Sequence, residues 1–329
     1  MKFAGIIAEY DPFHNGHAWQ LAQAKALGAE RVAVAMSCSL VQRGALPLLP
    51  EAVRTRSALT CGADLVFALP APCACAGAEA FARAGVALLA AAGCDGLVFG
   101  AETPDAALLM ETAELLDSGS YRAALKAQLA GGARSFAAAR QAAAAQLASD
   151  ERVAALLDKP NNNLAVEYCR AIRSLAPRME AYPLPRQGAN HGEALHSAHG
   201  QFASASALRK LWAEGGADAV APYVPEAVFP LYQEAYAAGQ YTDFSAAGRC
   251  ELALLRSACR GKAPFADIRG VSEGLEHRLE AAVRTSTTYD ELLDALTTVR
   301  YPRARMRRLA MDAALGCTAD SLPALPPYL

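Results

Sequence analysis

Two histidines close to the start of the chain, His14 and His17, have a spacing that suits phosphate chemistry. They follow the apolar run Phe3–Ala8, which is typical of a strand, and Gly16 between them opens the pattern of a helix. A helix N-terminus offers unpaired N–H groups and a partial positive charge to an anion. Imidazoles placed there can donate hydrogen bonds to phosphate oxygens as negative charge builds during attack at phosphorus. An isolated pair would more often be surface or capping residues, but the strand, the glycine and the helix together favour phosphate chemistry.

A second segment with the same potential lies far downstream, where Ser204 and Ser206 open another predicted helix. Serine hydroxyls at a helix start can cap the helix and bind a phosphate. Arg209 and Lys210 follow in the first turns, where they can neutralise the charge of β- and γ-phosphates. Taken alone, this segment is a common helix opening.

The composition limits the classes of protein to which the chain can belong. The 329 residues, 53% hydrophobic and 19% charged, are enough to bury a full core in one large or two moderate domains. Nine cysteines without CxxC pairs, and no secretory signal, indicate reduced thiols and a cytoplasmic protein. The alanine-rich stretch Ala84–Ala92 is too short and interrupted for a membrane span. His191, His196 and His199 lack acidic or thiol partners in a recognisable arrangement, so we interpret them as loop histidines and predict no metal site.

A local positive patch lies near the end of the sequence, although the formal net charge of the chain is only −2. Five arginines surround Tyr301 there: Arg300, Arg303, Arg305, Arg307 and Arg308. Phosphate neutralisation dominates affinity for nucleic acid, so such a patch can contribute several contacts to RNA. The alternative is a solvated helix face whose arginines pair with Asp290, Glu291 and Asp294. The arginines alone do not decide between these interpretations.

Strand and helix patterns alternate through the N-terminal part of the chain. The predicted strands are Phe3–Ala8, Arg31–Met36, Asp64–Leu69 and Gly96–Gly100, and the helices between them lie near Gly16–Leu27, Glu51–Cys61 and Glu79–Ala92. Repeated β-α-β units form a parallel sheet with helices on both faces, and ligands bind outside the carboxyl ends of its strands. We therefore expect the chemistry in the loops that follow those ends, at 9–17, 37–44, 70–78 and 100–103.

The pattern becomes helical and alanine-rich from about 104 to 158, with an interruption at Gly131-Gly132, which predicts a helical insertion. A further helix is expected from about Lys159 to Ser174, followed by a strand at Met179–Leu184. The three asparagines after Pro160 are most simply a turn and a helix cap.

The motifs of this chain resemble those of a known family. Ile6–His17 resembles the HxGH nucleotidyltransferase superfamily, and Ala203–Lys210 has the Ser-x-Ser/Thr-x-x-Arg form of its second phosphate-binding motif, which suggests two ends of one phosphate channel. Further motifs, in the same order, resemble the bacterial tRNA(Met) cytidine acetate ligase family: Val41–Gly44, Gly62–Pro70, Phe99–Glu102, Lys159–Asn162, Glu273–Arg278 and Arg300-Tyr301. The similarity covers nearly the whole chain.

This resemblance implies an α/β fold with a Rossmann-like parallel sheet of the HxGH nucleotidyltransferase type. It implies an ATP-binding domain at 1–215, which holds the insertion, and a helical C-terminal domain at 216–329 that contacts RNA. The implied activity is activation of acetate with ATP to acetyl-adenylate and pyrophosphate. The acetyl group then passes to the exocyclic amine of the wobble cytidine of elongator tRNA(Met). Mg²⁺ is expected with ATP, which is normally handled as its magnesium complex.

By position, the resemblance implies that His14 and His17 are catalytic and stabilise the transition state at the α-phosphate. The ATP-binding residues that it implies are Ile7, Ala8, Glu9, Tyr10, Asp11, Pro12, Phe13, His14, Asn15, Gly16, His17, Gln20, Gly100, Asn161 and Arg186, with Ser204, Ser206, Arg209 and Lys210 on the departing pyrophosphate. Gly100 would permit close approach of adenine or ribose, Asn161 would read an adenine edge or a ribose hydroxyl, and Arg186 suits a phosphate. Arg43 faces either the acyl group or RNA, and it joins the tail arginines as a candidate RNA contact.

The sequence departs from the family pattern at four positions. The family usually has Asn, Gly, Lys and Ser where this chain has Asp11, Cys38, Glu51 and Ala101. An anion at Glu51 would weaken phosphate binding if its side chain points inward, with Arg54 and Arg56 as compensating cations. The sequence also ends before the further C-terminal segment of typical members. Two alternatives therefore stay open, a nucleotidyltransferase for a small phosphorylated metabolite and a non-catalytic ATP- or RNA-binding descendant.

Overall fold

Five parallel strands form the central sheet, in the spatial order β3-β2-β1-β4-β5. Their bounds are β1 Phe3–Ala8, β2 Arg31–Ser37, β3 Leu65–Leu69, β4 Gly96–Ala101 and β5 Glu180–Pro185. The computed structural model describes residues 1–133, 135–186, 194–197, 200–261, 263–320 and 323, with the backbone alone at 194–197, 200 and 201. The five predicted strands and their parallel arrangement are confirmed, with boundaries that differ by at most one residue at either end.

Helices cover both faces of the sheet because successive strand residues point to opposite sides. The helices of this part are α1 Asn15–Ala26, α2 Glu51–Thr60, α3 Ala71–Ala74, α4 Ala78–Ala91, α5 Ala106–Asp117, α6 Gly119–Ala130, α7 Phe136–Leu147, α8 Glu151–Leu156 and α9 Pro160–Leu175. Val32 and Val34 of β2 pack with α1 and α2 on one face, whereas Ala33 and Ala35 pack with α4 and α9 on the other. The predicted insertion is helical, and α6 ends at the predicted Gly131-Gly132 interruption.

The strand order indicates where along the sheet a ligand is expected to bind. The chain runs outward from β1 to β3 and then returns to β4 on the other side of β1, so the order reverses between β1 and β4. The loops that leave the carboxyl ends of these two strands diverge there and open a crevice, which is where open α/β sheets bind ligands. The histidine loop follows β1 and Gly100 lies in β4, so both predicted ligand segments meet at this point.

The rest of the described chain is a short antiparallel hairpin followed by helices. These elements are β6 Ala194–Ser197, β7 Gly200–Ala203, α10 Ala205–Val220, α11 Phe229–Ala237, α12 Phe244–Ala258, α13 Leu275–Thr285, α14 Tyr289–Leu296 and α15 Arg303–Leu315. Helices α12 to α15 share a core of their own that includes Leu255, Leu279 and Met306. The division at residue 215 stays a prediction. We propose a later boundary, because Trp212 and Tyr232 both belong to the core beneath the sheet.

The C-terminal helices dock on the loops at the carboxyl edge of the sheet. Arg269 forms an ion pair with Asp312 of α15, with 2.7 Å between Nη2 and Oδ1, and donates to the carbonyls of Pro72 at 2.7 Å and Cys75 at 2.8 Å. Thr242 donates its N–H to the carbonyl of Leu48 at 2.8 Å. These contacts fix α15 beside the loops that follow β2 and β3. None of the helices in the described part of the chain is long and apolar enough to cross a membrane.

Candidate active site

The two histidines cap the helix that follows β1. His14 is the N-cap residue of α1, and its Nδ1 accepts the N–H of Gly16 at 3.1 Å. The Nδ1 of His17 accepts the N–H of His14 at 3.2 Å, which completes a reciprocal capping box. Since each Nδ1 is an acceptor, the hydrogen-bond pattern assigns the ring proton to Nε2 in both imidazoles. The capping role is therefore compatible with the predicted phosphate role, because each ring keeps an N–H donor that the helix does not use.

Both imidazoles are held in the neutral form. Burial, with the nearby charges of Arg186 and Arg209, lowers the pKa of His14 to about 3. Burial, His14 and Arg186 lower the pKa of His17 well below its ordinary value. A neutral imidazole polarises a phosphate oxygen as a hydrogen-bond donor without giving up a proton. The charge of Arg186 thus lowers the pKa of both rings, and that of Arg209 lowers the pKa of His14.

Aromatic packing behind the histidines fixes their orientation. Tyr10 is fully buried with a left-handed backbone φ of 49°, and its ring meets the His17 ring edge to face with centroids 4.8 Å apart. Phe13 packs against Tyr10 at a centroid distance of 4.8 Å, and its carbonyl accepts the hydroxyl of Tyr232 at 2.7 Å. A Cβ on Gly16 would lie 2.9 Å from Cε1 of His14, so only glycine leaves that ring in place.

Asp11 joins three segments of the chain at the mouth of the histidine loop. Its carboxylate is 1% exposed, and it accepts the N–H of Leu48 at 2.5 Å. Arg43 pairs with the same carboxylate at 2.8 Å. Arg209 of α10 donates to the Asp11 carbonyl at 2.5 Å and lies 3.3 Å from the carboxylate. The loop after β2 and the start of α10 are thereby held against the histidine loop, which brings the two predicted phosphate segments together.

The sequence suggests Arg54 as a cation that compensates for Glu51, but the structure gives this residue a different position. This α2 residue is fully buried, and its guanidinium donates to the carbonyls of Glu9 at 2.8 Å, Ser37 at 2.6 Å and Leu49 at 2.9 Å, as well as to Cys38. It therefore satisfies backbone acceptors where β1 and β2 end and does not act as a compensating cation in an open channel. Glu51 is exposed in the first turn of α2, where it complements the helix dipole.

The carboxyl end of β4 is built around a carboxylate that sequence reasoning left unassigned. Glu102 accepts the N–H of Asn161 at 3.2 Å, its Nδ2 at 2.6 Å, and the N–H of Asn162 at 2.7 Å. Asn162 is fully buried, and its Oδ1 accepts the N–H of Thr103 at 2.9 Å. Asn161 and Asn162 therefore do not cap α9 but join it to the loop after β4, whereas Asn163 donates to the carbonyl of Leu157 at 2.7 Å. The signal in the sequence was an acid directly after a strand, with an asparagine cluster opening a later helix.

These contacts also set the electrostatics of the carboxylates around the site. Partial burial acts to raise the pKa of Glu102, but the hydrogen bonds from Asn161 and Asn162 outweigh it and hold the pKa below its ordinary value. The opposite holds for Glu9, where burial and the charge of Asp11 raise the pKa against the opposing effect of Arg43. A permanent anion therefore organises the start of α9, while the charge of Glu9 is weakened.

The remaining predicted ATP residues lie around the same crevice. Gly100 is exposed at the end of β4, and a Cβ there would come 3.5 Å from Cγ of Arg186. Ser204 is the N-cap of α10, and its hydroxyl lies 3.0 Å from that of Ser206. Gln20 donates to the carbonyl of Val98 at 3.2 Å and so connects α1 to β4.

For the other predicted residues, the structure gives mainly their position in the fold. Ile7 and Ala8 belong to β1, Pro12 lies between Asp11 and Phe13 in the loop, and Asn15 donates to the carbonyl of Pro222 at 3.3 Å. Lys210 is exposed on α10. Of the loop histidines, His191 and His199 lie outside the described residues, as does the side chain of His196. No group of three or more His, Cys, Asp or Glu side chains in the described part is arranged to hold a metal ion. The ATP assignments stay predictions.

The tail arginines divide into two groups. Arg300 pairs with Glu273 at 2.8 Å and Arg303 with Asp290 at 2.7 Å and with Asp294. Arg305 lies over the ring of Tyr301, 5.0 Å from its centroid. These contacts match the alternative of a solvated, acid-paired face for Arg303.

The second group lies beside the loop that follows β2. Arg308 donates to the carbonyl of Gln42 at 3.1 Å, and the backbone of Arg307 and Arg308 packs against Gly44. Gln42 in turn donates its N–H to Glu9 at 2.5 Å. Helix α15 is thus connected through the loop after β2 to the histidine loop.

Comparison with known proteins agrees with this arrangement. The family model described as HIGH Nucleotidyl Transferase matches residues 1–327. The tRNA(Met) cytidine acetate ligase of Syntrophotalea carbinolica is 36% identical, over 100% of this chain and 78% of its own length. The enzyme of the same name from Acetivibrio thermocellus is 33% identical, over 99% of this chain and 80% of its own.

Two solved structures are similar over the same extent. Thermotoga maritima TmcAL bound with alpha-thio ATP superposes with a TM-score of 0.88 at 29% identity, over 97% of this chain and 76% of that one. The apo form of the same protein gives a TM-score of 0.90, over 97% of this chain and 77% of that one. The expected fold is confirmed by these matches, and the chain belongs to the tRNA(Met) cytidine acetate ligases of the HIGH nucleotidyltransferase family.

Proposed function

We propose that this protein binds ATP, activates acetate as acetyl-adenylate, and acetylates the exocyclic amine of the wobble cytidine in elongator tRNA(Met). One observation carries the chemical part of the proposal. Two neutral imidazoles, each with its Nδ1 occupied, stand at the N-terminus of α1 where the strand order reverses. That arrangement suits a reaction at a phosphorus atom. The ATP analogue bound by the Thermotoga relative supports the choice of nucleotide.

The first step is an attack of an acetate oxygen on the α-phosphorus of ATP. A new bond forms between that oxygen and phosphorus, the bond to the β-phosphate oxygen breaks, and pyrophosphate leaves with its electron pair. The Nε2–H groups of His14 and His17 would stabilise the negative charge that grows on the α-phosphate oxygens. The protein takes no covalent part, so positioning and electrostatics supply the rate enhancement.

The second step is attack of the cytidine amine on the acetyl carbonyl carbon of the adenylate. The carbon–oxygen bond to AMP breaks, AMP leaves, and the amine loses one proton. The relatives' names, which specify tRNA(Met) and cytidine, support this acceptor. Our candidates for contact with RNA remain Arg43, Arg300, Arg303, Arg305, Arg307 and Arg308. Of these, Arg43, Arg307 and Arg308 lie at the carboxyl edge of the sheet.

The nucleotide would lie across the crevice between β1 and β4. Gly100 leaves room for adenine or ribose at the exposed end of β4, and Asn161 is held beside it by Glu102. At the other end, the capped start of α10 and the Arg209 guanidinium would receive the pyrophosphate. Mg²⁺ would arrive on the phosphates of ATP and be held mainly by them. We also propose a cytoplasmic location, which the nine free cysteines support.

The acceptor is tested with the purified protein and an unmodified elongator tRNA(Met) transcript. We expect mass spectrometry of its nucleosides to find acetylated cytidine only when ATP and acetate are both present. A transcript with the wobble cytidine replaced by uridine is the matched control and should stay unmodified. Absence of acetylcytidine in the native transcript, in a preparation that still forms acetyl-adenylate, would refute the RNA part of the proposal.

A further inference from the structure

Three arginines from separate parts of the chain lie beside the histidine loop. Arg43 comes from the loop after β2, Arg209 from α10 and Arg307 from α15. The first two share the Asp11 carboxylate, at 2.8 Å from Arg43 and 3.3 Å from Arg209. We call these three residues the arginine cluster.

The third arginine is carried to this place by close backbone packing. A Cβ on Gly44 would lie 2.6 Å from the backbone N of Arg308 and 2.8 Å from the carbonyl carbon of Arg307. Gly44 also has a left-handed φ of +76°, so glycine meets two requirements there. Arg308 secures the contact by donating to the carbonyl of Gln42 at 3.1 Å. Arg307 is therefore adjacent to the loop that carries Arg43.

Against the three cations of the cluster stand one ion-paired carboxylate, Asp11, and the buried Glu9, whose raised pKa weakens its negative charge. Asp11 is the carboxylate in contact with Arg43 and Arg209, and no ion pair joins Arg307 to an acid within the described residues. Burial raises the pKa of Glu251, an acid near Arg307, to about 7, so its charge is only partial at neutral pH. Burial and the charge of Arg43 lower the pKa of Arg209 to about 10, with Arg307 among the smaller causes.

One donor of the cluster is both buried and unused. The Nη1 atom of Arg43 is shielded from solvent and has no hydrogen-bond partner among the residues that the structure describes. A buried cationic donor without a partner is costly, so its presence indicates an acceptor that arrives with a ligand. Guanidinium groups suit phosphate oxygens, because their planar donors can bind two oxygens at once.

We propose that Arg43, Arg209 and Arg307 form one subsite for a phosphate group. In this subsite, α15 of the C-terminal helices supplies a cation to the site beside the histidines. Two phosphates could occupy the subsite, the departing pyrophosphate of ATP and a backbone phosphate of the RNA. Their identity rests on the proposed function. Either source places Arg307 in the active site and not on a separate RNA-binding face.

Equilibrium binding with the full chain tests the subsite and distinguishes the two sources. Calorimetry with inorganic pyrophosphate measures the first, and binding of an unmodified tRNA(Met) transcript over a series of salt concentrations measures the second. The variants are Arg307→Ala and Arg307→Met, the latter keeping an apolar stem for packing. Arg249→Ala is the control, because it removes the same charge from an exposed position on α12, where the arginine donates to Ser245 at 2.8 Å.

If pyrophosphate occupies the subsite, both Arg307 variants should bind it about tenfold more weakly and bind RNA normally. If an RNA phosphate occupies it, RNA binding should weaken about tenfold and its salt slope should fall by about 1, with pyrophosphate binding unchanged. Losses of both would mean that the subsite serves both steps. Binding of both probes equal to that of Arg249→Ala would overturn the inference. Neither assay needs turnover, so a failure of the proposed acetate activation would leave this result standing.

Discussion

The backbone N–H of His14 donates to Nδ1 of His17 at 3.2 Å, and the two rings stack with centroids 3.8 Å apart. The two histidines therefore hold each other, and neither ring can turn without loss of a helix cap. The relationship explains why two imidazoles lie at a helix start without charge: their Nδ1 atoms serve the backbone, and burial opposes protonation.

Activity should not fall through titration of these histidines as the solution is acidified from pH 8 to pH 6. The pKa of His14 is about 3 in the folded chain, against roughly 6.5 in an unfolded chain, so the ring stays neutral across this range. The check is kcat for pyrophosphate exchange, measured with all substrates saturating. A fall in kcat that follows an ionisation near pH 6.5, and that a His14 variant abolishes, would contradict the assignment.

The free energy of unfolding should decline as pH falls below about 6.5, towards pH 3. In this interval the unfolded chain binds protons at positions 14 and 17 that the folded chain does not, so acid favours unfolding. Urea titrations of a His14→Asn, His17→Asn double variant should therefore show a shallower loss between pH 7 and pH 5. His277→Ala is the control, since that side chain is 72% exposed. A slope as steep in the double variant as in the native chain would contradict the explanation.

Gly16→Ala should lower kcat for exchange by about 10- to 100-fold, because a displaced catalytic group loses its geometry. The added Cβ would meet the His14 ring at 2.9 Å. The free energy of unfolding should change by less than about 1 kcal/mol, since alanine is a better helix residue. Gly119→Ala, whose Cβ would meet no atom within 4 Å at the start of α6, is the matched control and should keep full activity. An unchanged kcat in Gly16→Ala would show that the ring position is not critical.

Arg54→Met should lower the free energy of unfolding by about 3 kcal/mol or more, because buried carbonyls lose their donor. The guanidinium bonds to carbonyls of β2, the loop after it and Glu9, and it is fully buried. Arg56→Met removes the same charge from an exposed position in the same helix and should change the free energy by no more than about 0.5 kcal/mol. Equal effects in the two variants, measured by chemical denaturation, would refute the structural role of Arg54.

Glu102→Gln should raise KM for ATP about three- to tenfold while kcat changes little, because it weakens the anion that holds the start of α9. Asn161 would then be less well placed beside the end of β4. Initial rates of exchange at varied ATP give both constants. Glu111→Gln, an exposed acid on α5, is the control and should leave KM as it was. An unaltered KM in Glu102→Gln would remove the support for nucleotide contact at Asn161.

The sheet and its helices could be predicted because their signals are local. The apolar runs at Phe3–Ala8 and Leu65–Leu69 are bounded by turn residues, and each helix between strands has its own pattern. Because strands and helices alternate along the chain, the strands form a parallel sheet. The loops after the carboxyl ends of those strands then converge at one edge of the sheet. The position of the histidine pair followed from these rules.

The contacts that complete the site are long-range, and the sequence carries no local sign of them. Arg54 has the sequence context of a surface helix residue, yet tertiary packing buries it against the ends of two strands. The approach of Arg307 to Arg43 depends on how α15 docks on Gly44, which no pattern near residue 307 encodes. Motif resemblance indicated segments that the fold brings together, whereas the hydrogen-bond network among them required coordinates.

Exchange of labelled pyrophosphate into ATP by the purified full chain, with and without acetate, tests the central claim most directly. We predict exchange that depends on acetate and needs no RNA, and that falls by at least about 100-fold in His17→Ala, because the ring's donor to the α-phosphate is lost. Exchange that is equally fast without acetate would contradict formation of acetyl-adenylate at this site.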